Sequence, residues 1–151
     1  MVAIPILGTL IDSLTRKISE VLAYVDIGRL VFMQVYRIAG AVFLVAFFYF
    51  DADFSREFAM KAGWGDVSMG VLALPVAFLV WKRIAGWPVA IVIWCAIGIG
   101  NLILAPLTAV QFGGPNPNAF PISAIPLFFG PALGICTHII TLRATDLSRT
   151  K

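Results

Sequence analysis

The run from Leu30 to Phe50 contains one formal charge, Arg37. At ~1.5 Å of rise per residue, a helix of about 20 residues matches the ~30 Å hydrocarbon core of a bilayer. The rest of the chain supports a lipid setting: 60% of its 151 residues are hydrophobic, 13% are charged and its mean hydropathy is +0.95. Such a composition lies well outside the soluble range. The sequence therefore predicts an all-α membrane protein, with four transmembrane helices preceded by an N-terminal amphipathic interfacial helix.

Residues 1–29 form that first unit. Leu7, Leu10, Ile11, Leu14, Ile18, Val21, Leu22 and Val25 recur at i, i+3 and i+4, while Asp12, Ser13, Arg16, Lys17 and Glu20 take the opposite face. A helix of this kind lies in the membrane interface or docks on a partner. The bundle then occupies residues 30–142, with spans at about 30–50, 66–81, 87–109 and 121–142. Asp66, in Gly63-Trp64-Gly65-Asp66, is expected to N-cap the second span, and Pro88 opens the third at a first-turn position. The stretch Gly113-Gly114-Pro115-Asn116-Pro117-Asn118 is a loop signal before the fourth. Residues 143–151 make a cytoplasmic tail.

Basic side chains set the orientation. Arg16, Lys17, Arg29, Lys82, Arg83, Arg143, Arg149 and Lys151 fall on one side of this threading, against Arg56 and Lys61 on the other. The positive-inside rule places both termini in the cytoplasm. A net charge of +3, scattered at the ends of apolar runs, gives no nucleic-acid footprint. The expected partners are membrane lipids and other membrane subunits or further copies of this chain.

Threaded this way, the polar residues divide into two layers. The inner layer holds Gln34, Tyr36, Arg37, Cys95, Cys136, Thr137, His138 and Thr141, with Arg37, His138, Tyr36 and Thr137 as its candidate site; the outer rim holds Asp51, Asp53 and Asp66, with Asn101 somewhat deeper. Arg37 is the most costly, at about 2.5 kcal/mol or more in hydrocarbon unless paired or hydrated. It either contacts an anion, a lipid headgroup or a quinone oxygen, or it reaches back to the inner interface, and the second reading is preferred. His138, the sole histidine, offers one lone pair to a metal, haem or chlorin, or hydrogen-bonds near the cytoplasmic interface. No acidic residue is expected at its depth. Gly98, Gly100, Asn101, Gly130 and Gly134 read as helix-packing positions, the small residues permitting close approach and the amide bonding across it. Cys95 and Cys136 lie inside apolar runs and read as buried hydrophobes; no metal site is indicated.

Tyr36-Arg37-Ile38-Ala39-Gly40, Phe43-Leu44, Ala62-Gly63-Trp64-Gly65-Asp66, Ile125-Pro126 and His138 together resemble an uncharacterised family of small bacterial four-span membrane proteins. The likeness covers roughly Gln34 to Leu142. It departs from the family pattern at Trp94-Cys95, where Trp-Asn is expected. The resemblance implies a bacterial four-span bundle, expected in the inner membrane, and brings no activity.

The sequence shows no Gly-rich phosphate loop, no HExxH, no paired intramembrane carboxylates and no serine nucleophile with a second histidine, which argues against an autonomous hydrolase or ion pump. The leading expectation is a non-enzymatic membrane subunit or accessory protein of a larger complex. Two alternatives stay open: a small oligomeric transporter or channel, and a redox subunit binding quinone, haem or chlorin.

Overall fold

The computed structural model describes residues 24–115 and 124–149. The amphipathic segment expected over 1–29 therefore lies outside the described residues up to position 23. Helix α1 spans Ile27–Tyr49. It starts earlier than the apolar run suggests because the Asp26 carboxylate accepts from the Arg29 backbone N–H at 3.1 Å, satisfying a donor that the first turn leaves free.

Within α1, Gln34–Gly40 winds as a 3-10 helix. Seven residues is long for this geometry, which commonly lasts three or four. Three residues per turn stacks positions i and i+3, so Gln34, Arg37 and Gly40 lie on one buried line. In an α-helix each such step would drift by about 60°. Buried positions continue every third residue on both sides, from Gly28 and Val31 to Phe43 and Ala46.

Helix α2 spans Arg56–Trp81, its start capped by Ser55, whose hydroxyl accepts from the Phe58 N–H at 3.1 Å. Ala59–Gly63 is a π-helical stretch inside it. Helix α3, Trp87–Phe112, follows a tight turn with Gly86 at φ 88° and Pro88 in its first turn. Helix α4 spans Ala124–Arg149.

Neighbouring contacts make successive helices antiparallel. Phe32 of α1 packs on Trp81 of α2, while Phe43 packs on Phe58 near the other end of both helices. Between α2 and α3, Trp94 reaches the Met69 carbonyl and Asn101 reaches Asp66. Cys95 of α3 approaches the His138 carbonyl, and Leu102 lies against Gly134. Ala144 of α4 joins the core cluster of Ile27 and Val31. The result is an up-down-up-down bundle. Helices α1, α2 and α3 are each long and apolar enough to cross a membrane. Large apolar side chains such as Phe48, Phe78, Ile93, Ile97, Leu104 and Leu107 point outward from it, an exterior suited to lipid.

Two expected boundaries are corrected. Helix α2 does not begin at Asp66; it runs continuously from Arg56, so Asp66 caps nothing and its carboxylate is free to face inward. The tail expected at 143–151 is helical through Arg149. Thr141 and Thr145 each donate a hydroxyl hydrogen bond, at 2.8 Å, to the carbonyl four residues earlier, and Ala144 is buried against α1. These contacts carry the helix beyond its apolar run.

Candidate functional site

Arg37, Asp66, Asn101 and His138 come together near the middle of the bundle, one from each helix. The Arg37 Nε and Nη2 groups donate to Asp66 Oδ1 at 3.0 and 2.6 Å. Asn101 Nδ2 donates to the same oxygen at 3.1 Å. On the other side of the guanidinium, Nη1 approaches His138 Nε2 at 3.4 Å. The Arg37 side chain is 1% exposed and that of Asp66 16%.

The local winding of α1 and α2 brings the pair together. The 3-10 stretch aims Arg37 at α2, and Gly40, one turn on, lies so close that a Cβ there would stand 3.1 Å from Asp66 Oδ2. The π-helical stretch ends just before Trp64 and precedes Asp66 in the same helix. Such irregular turns inside helices recur at functional positions. On the far side, Gly98 faces the His138 ring so closely that a Cβ would collide with Nε2 and Cε1. Trp94 packs its indole edgewise on that ring, with centroids 4.7 Å apart.

The tautomer of His138 follows from this contact. Arginine only donates hydrogen bonds, so the Nε2 it faces must accept, leaving the imidazole proton on Nδ1. His138 is fully buried and, among the described residues, Nδ1 has no hydrogen-bond partner; nor has either side-chain polar atom of Gln34, which is 1% exposed. Buried polar groups normally find partners.

The four-residue node changes the expected layers. Arg37 does not reach back to an interface: it is buried and paired. Asp66 leaves the outer rim and supplies the acidic partner expected to be missing at the depth of Arg37 and His138. Asp51 and Asp53 remain exposed, Asp51 at a positive φ of 46°. Tyr36 is 42% exposed, with its hydroxyl beside Gly134 rather than in the node. Thr137 bonds back to the Leu133 carbonyl at 2.7 Å. Of the expected packing positions, Gly98, Asn101 and Gly134 meet neighbouring helices, whereas a Cβ added at Gly100 or Gly130 would meet none of the described residues within 4 Å. Cys95 is buried as expected, but Cys136 is exposed. Gln34, expected in the inner layer but not among its candidate site residues, joins the site region on the same buried line as Arg37. Among the described residues, no group of three or more His, Cys, Asp or Glu is placed to hold a metal ion.

Residues 2–145 match one family along nearly the whole chain. The chain belongs to the family described as a domain of unknown function (DUF8737). No curated protein and no solved structure matches it.

Proposed function

We propose that this chain is a four-span protein of the bacterial inner membrane, both termini cytoplasmic, that works as a small transporter through the Arg37–Asp66–Asn101–His138 node. The carrying observation is the convergence of one polar side chain from each helix, near mid-height, on a buried ion pair. An ion pair in hydrocarbon is costly to maintain, and intramembrane ionisable residues mark substrate pathways by default. Transporter sites near the bilayer midplane are commonly built where helices depart from regular winding. The 3-10 stretch around Arg37 and the π stretch before Asp66 fit that pattern. Within the node Arg37 and His138 are buried, whereas Asp66 and Asn101 are partly exposed. Further copies of the chain and surrounding lipids are its natural neighbours, and the uncharacterised bacterial four-span family is its proposed kin.

A second reading has its own support. Arg37 and Asp66 neutralise each other through two hydrogen bonds to a single oxygen, as a purely structural lock in an accessory subunit would require. The redox alternative is less well supported, because the Nε2 lone pair that would ligate a haem or chlorin already faces Arg37.

The test is solute flux in proteoliposomes, comparing the wild type with the paired substitution Arg37→Met/Asp66→Leu, which removes both charges together. Transport predicts flux that disappears in a variant still folded as a helical monodisperse particle. Absence of wild-type flux for every solute and ion tried would instead leave the lock. A C-terminal reporter active only in the cytoplasm checks the orientation.

A further inference from the structure

We propose that the turn between α2 and α3 binds an anionic phospholipid, with Lys82 and Arg83 holding its phosphate and the outer face of α2 receiving an acyl chain. The inference draws on the membrane setting proposed above and not on transport.

Helix α2 ends in a Schellman turn. The Arg83 N–H donates to the Val80 carbonyl and the Ile84 N–H to the Leu79 carbonyl, both at 3.1 Å. Such a turn puts one residue in the left-handed region, and here that residue is Arg83, at φ 49°. Glycine is the usual occupant, because it has no Cβ to clash. An arginine in its place carries backbone strain that glycine would avoid, and strain of this kind is retained where a side chain has a role. The Arg83 guanidinium lies over the Trp87 ring, 5.1 Å from its centroid. An arginine stacked by its face keeps its in-plane N–H groups for an acceptor, and phosphate oxygens match that fork.

The charges around this turn favour an anion. Gly28 packs against the Trp81 ring, which brings the start of α1 to the same end of the bundle. There Arg29 is matched by Asp26, 3.5 Å away. On α4, exposed Arg143 is followed three residues on by exposed Asp146. Among the described residues no carboxylate pairs with Lys82 or Arg83, both exposed, so the turn carries two unmatched positive charges.

An apolar track leads away from them. Val71, Leu74, Phe78 and Trp81 are all exposed and recur every three or four residues along one face of α2. Lys82, four residues after Phe78, tops the same face. Tryptophan suits the headgroup level, with acyl chains against the apolar residues beneath it. Two cations above an apolar track have the polarity of an anionic phospholipid. A zwitterionic headgroup would bring its own ammonium to cations that are already unmatched.

Quenching of tryptophan fluorescence by brominated lipid tests the site. Trp64→Phe removes the exposed reporter at the other end and Trp94 is buried, so Trp81 and Trp87 report from the turn. The probes are phosphatidylglycerol and phosphatidylcholine with brominated chains, each titrated into vesicles of unlabelled phosphatidylcholine that hold the purified protein. One basic side chain at an anionic surface is worth about fivefold in binding, so the wild-type turn should prefer phosphatidylglycerol by about fivefold or more. Arg83→Gly relieves the turn while deleting the cation: it should raise thermal stability and lower the preference. Arg29→Gln, whose charge is matched by Asp26, should leave the preference unchanged. Because lipid contact is measured and not flux, a negative result leaves the transport reading intact. A wild-type preference below about twofold would overturn the proposal. So would equal losses in Arg83→Gly and Arg29→Gln, which would indicate a general field, or relief of quenching by inorganic phosphate but not by sodium chloride of equal ionic strength, which would make free phosphate the ligand.

Discussion

Replacing Arg37 by Met strands the Asp66 carboxylate, which loses the donors at 3.0 and 2.6 Å and keeps only Asn101 at 3.1 Å. Removing one partner of a buried pair costs about 3–5 kcal/mol, because the remaining charge is left uncompensated. Asp66 keeps some access to solvent, its side chain being 16% exposed, so the lower end, about 3 kcal/mol, is expected for Arg37→Met. Asp66→Leu strands a guanidinium that is 1% exposed and should cost about 4 kcal/mol. Removing both charges together leaves apolar side chains of similar volume, a change that is often neutral or stabilising. The double substitution should therefore fall within about 1 kcal/mol of the wild type, giving a coupling energy of about 6 kcal/mol or more, roughly twice the usual upper end for contacting residues because each single strands a charge. Equilibrium unfolding by SDS titration, followed by circular dichroism, measures all four proteins. Singles that each cost under about 0.5 kcal/mol, or a double that costs the sum of its singles, would refute the reasoning.

Gly98→Ala should push the His138 ring off its seat, with a loss of about 1–3 kcal/mol from overpacking and a change in the fluorescence of Trp94, which packs on that ring. Gly100→Ala, facing open space in the same helix, should be neutral or stabilising by up to about 1 kcal/mol. Equal effects at the two glycines would argue against the packing described. Asn101→Leu removes one donor to Asp66 and should cost about 1–2 kcal/mol; Asn101→Asp adds a second carboxylate there and should cost more, so the reverse order in the same unfolding assay would count against the node. Ser55→Ala deletes the cap on Phe58 and should cost about 1 kcal/mol, visible as faster backbone hydrogen exchange confined to the first turn of α2.

Much of the bundle is legible in the residues taken one after another. Apolar runs of bilayer length, the Lys82-Arg83 turn and Pro88 define α1 and α3 and the sharp return between α2 and α3. Arg37, Asp66, Asn101 and His138 each stand out alone as polar residues that an apolar chain must account for. Their meeting does not stand out, for two reasons. Helices with apolar residues on nearly every face carry no periodic signal to say which side faces inward. In addition, the first turn of α2 is amphiphilic enough to pass for a surface connection, which shifts the apparent start of that span to Asp66 and assigns its carboxylate to a cap.

Composition and run length by themselves determined that this chain is helical and apolar enough to enter a membrane, because burying backbone hydrogen bonds in hydrocarbon leaves few other options. The tertiary structure decided the depth and partnership of the charges. A 3-10 stretch that stacks Gln34, Arg37 and Gly40, a π stretch ahead of Asp66, and glycines that let Asp66 and His138 approach closely bring residues from four helices to one point. Such small departures from regular winding depend on how the helices pack against one another, and a linear pattern of residue types does not record that packing.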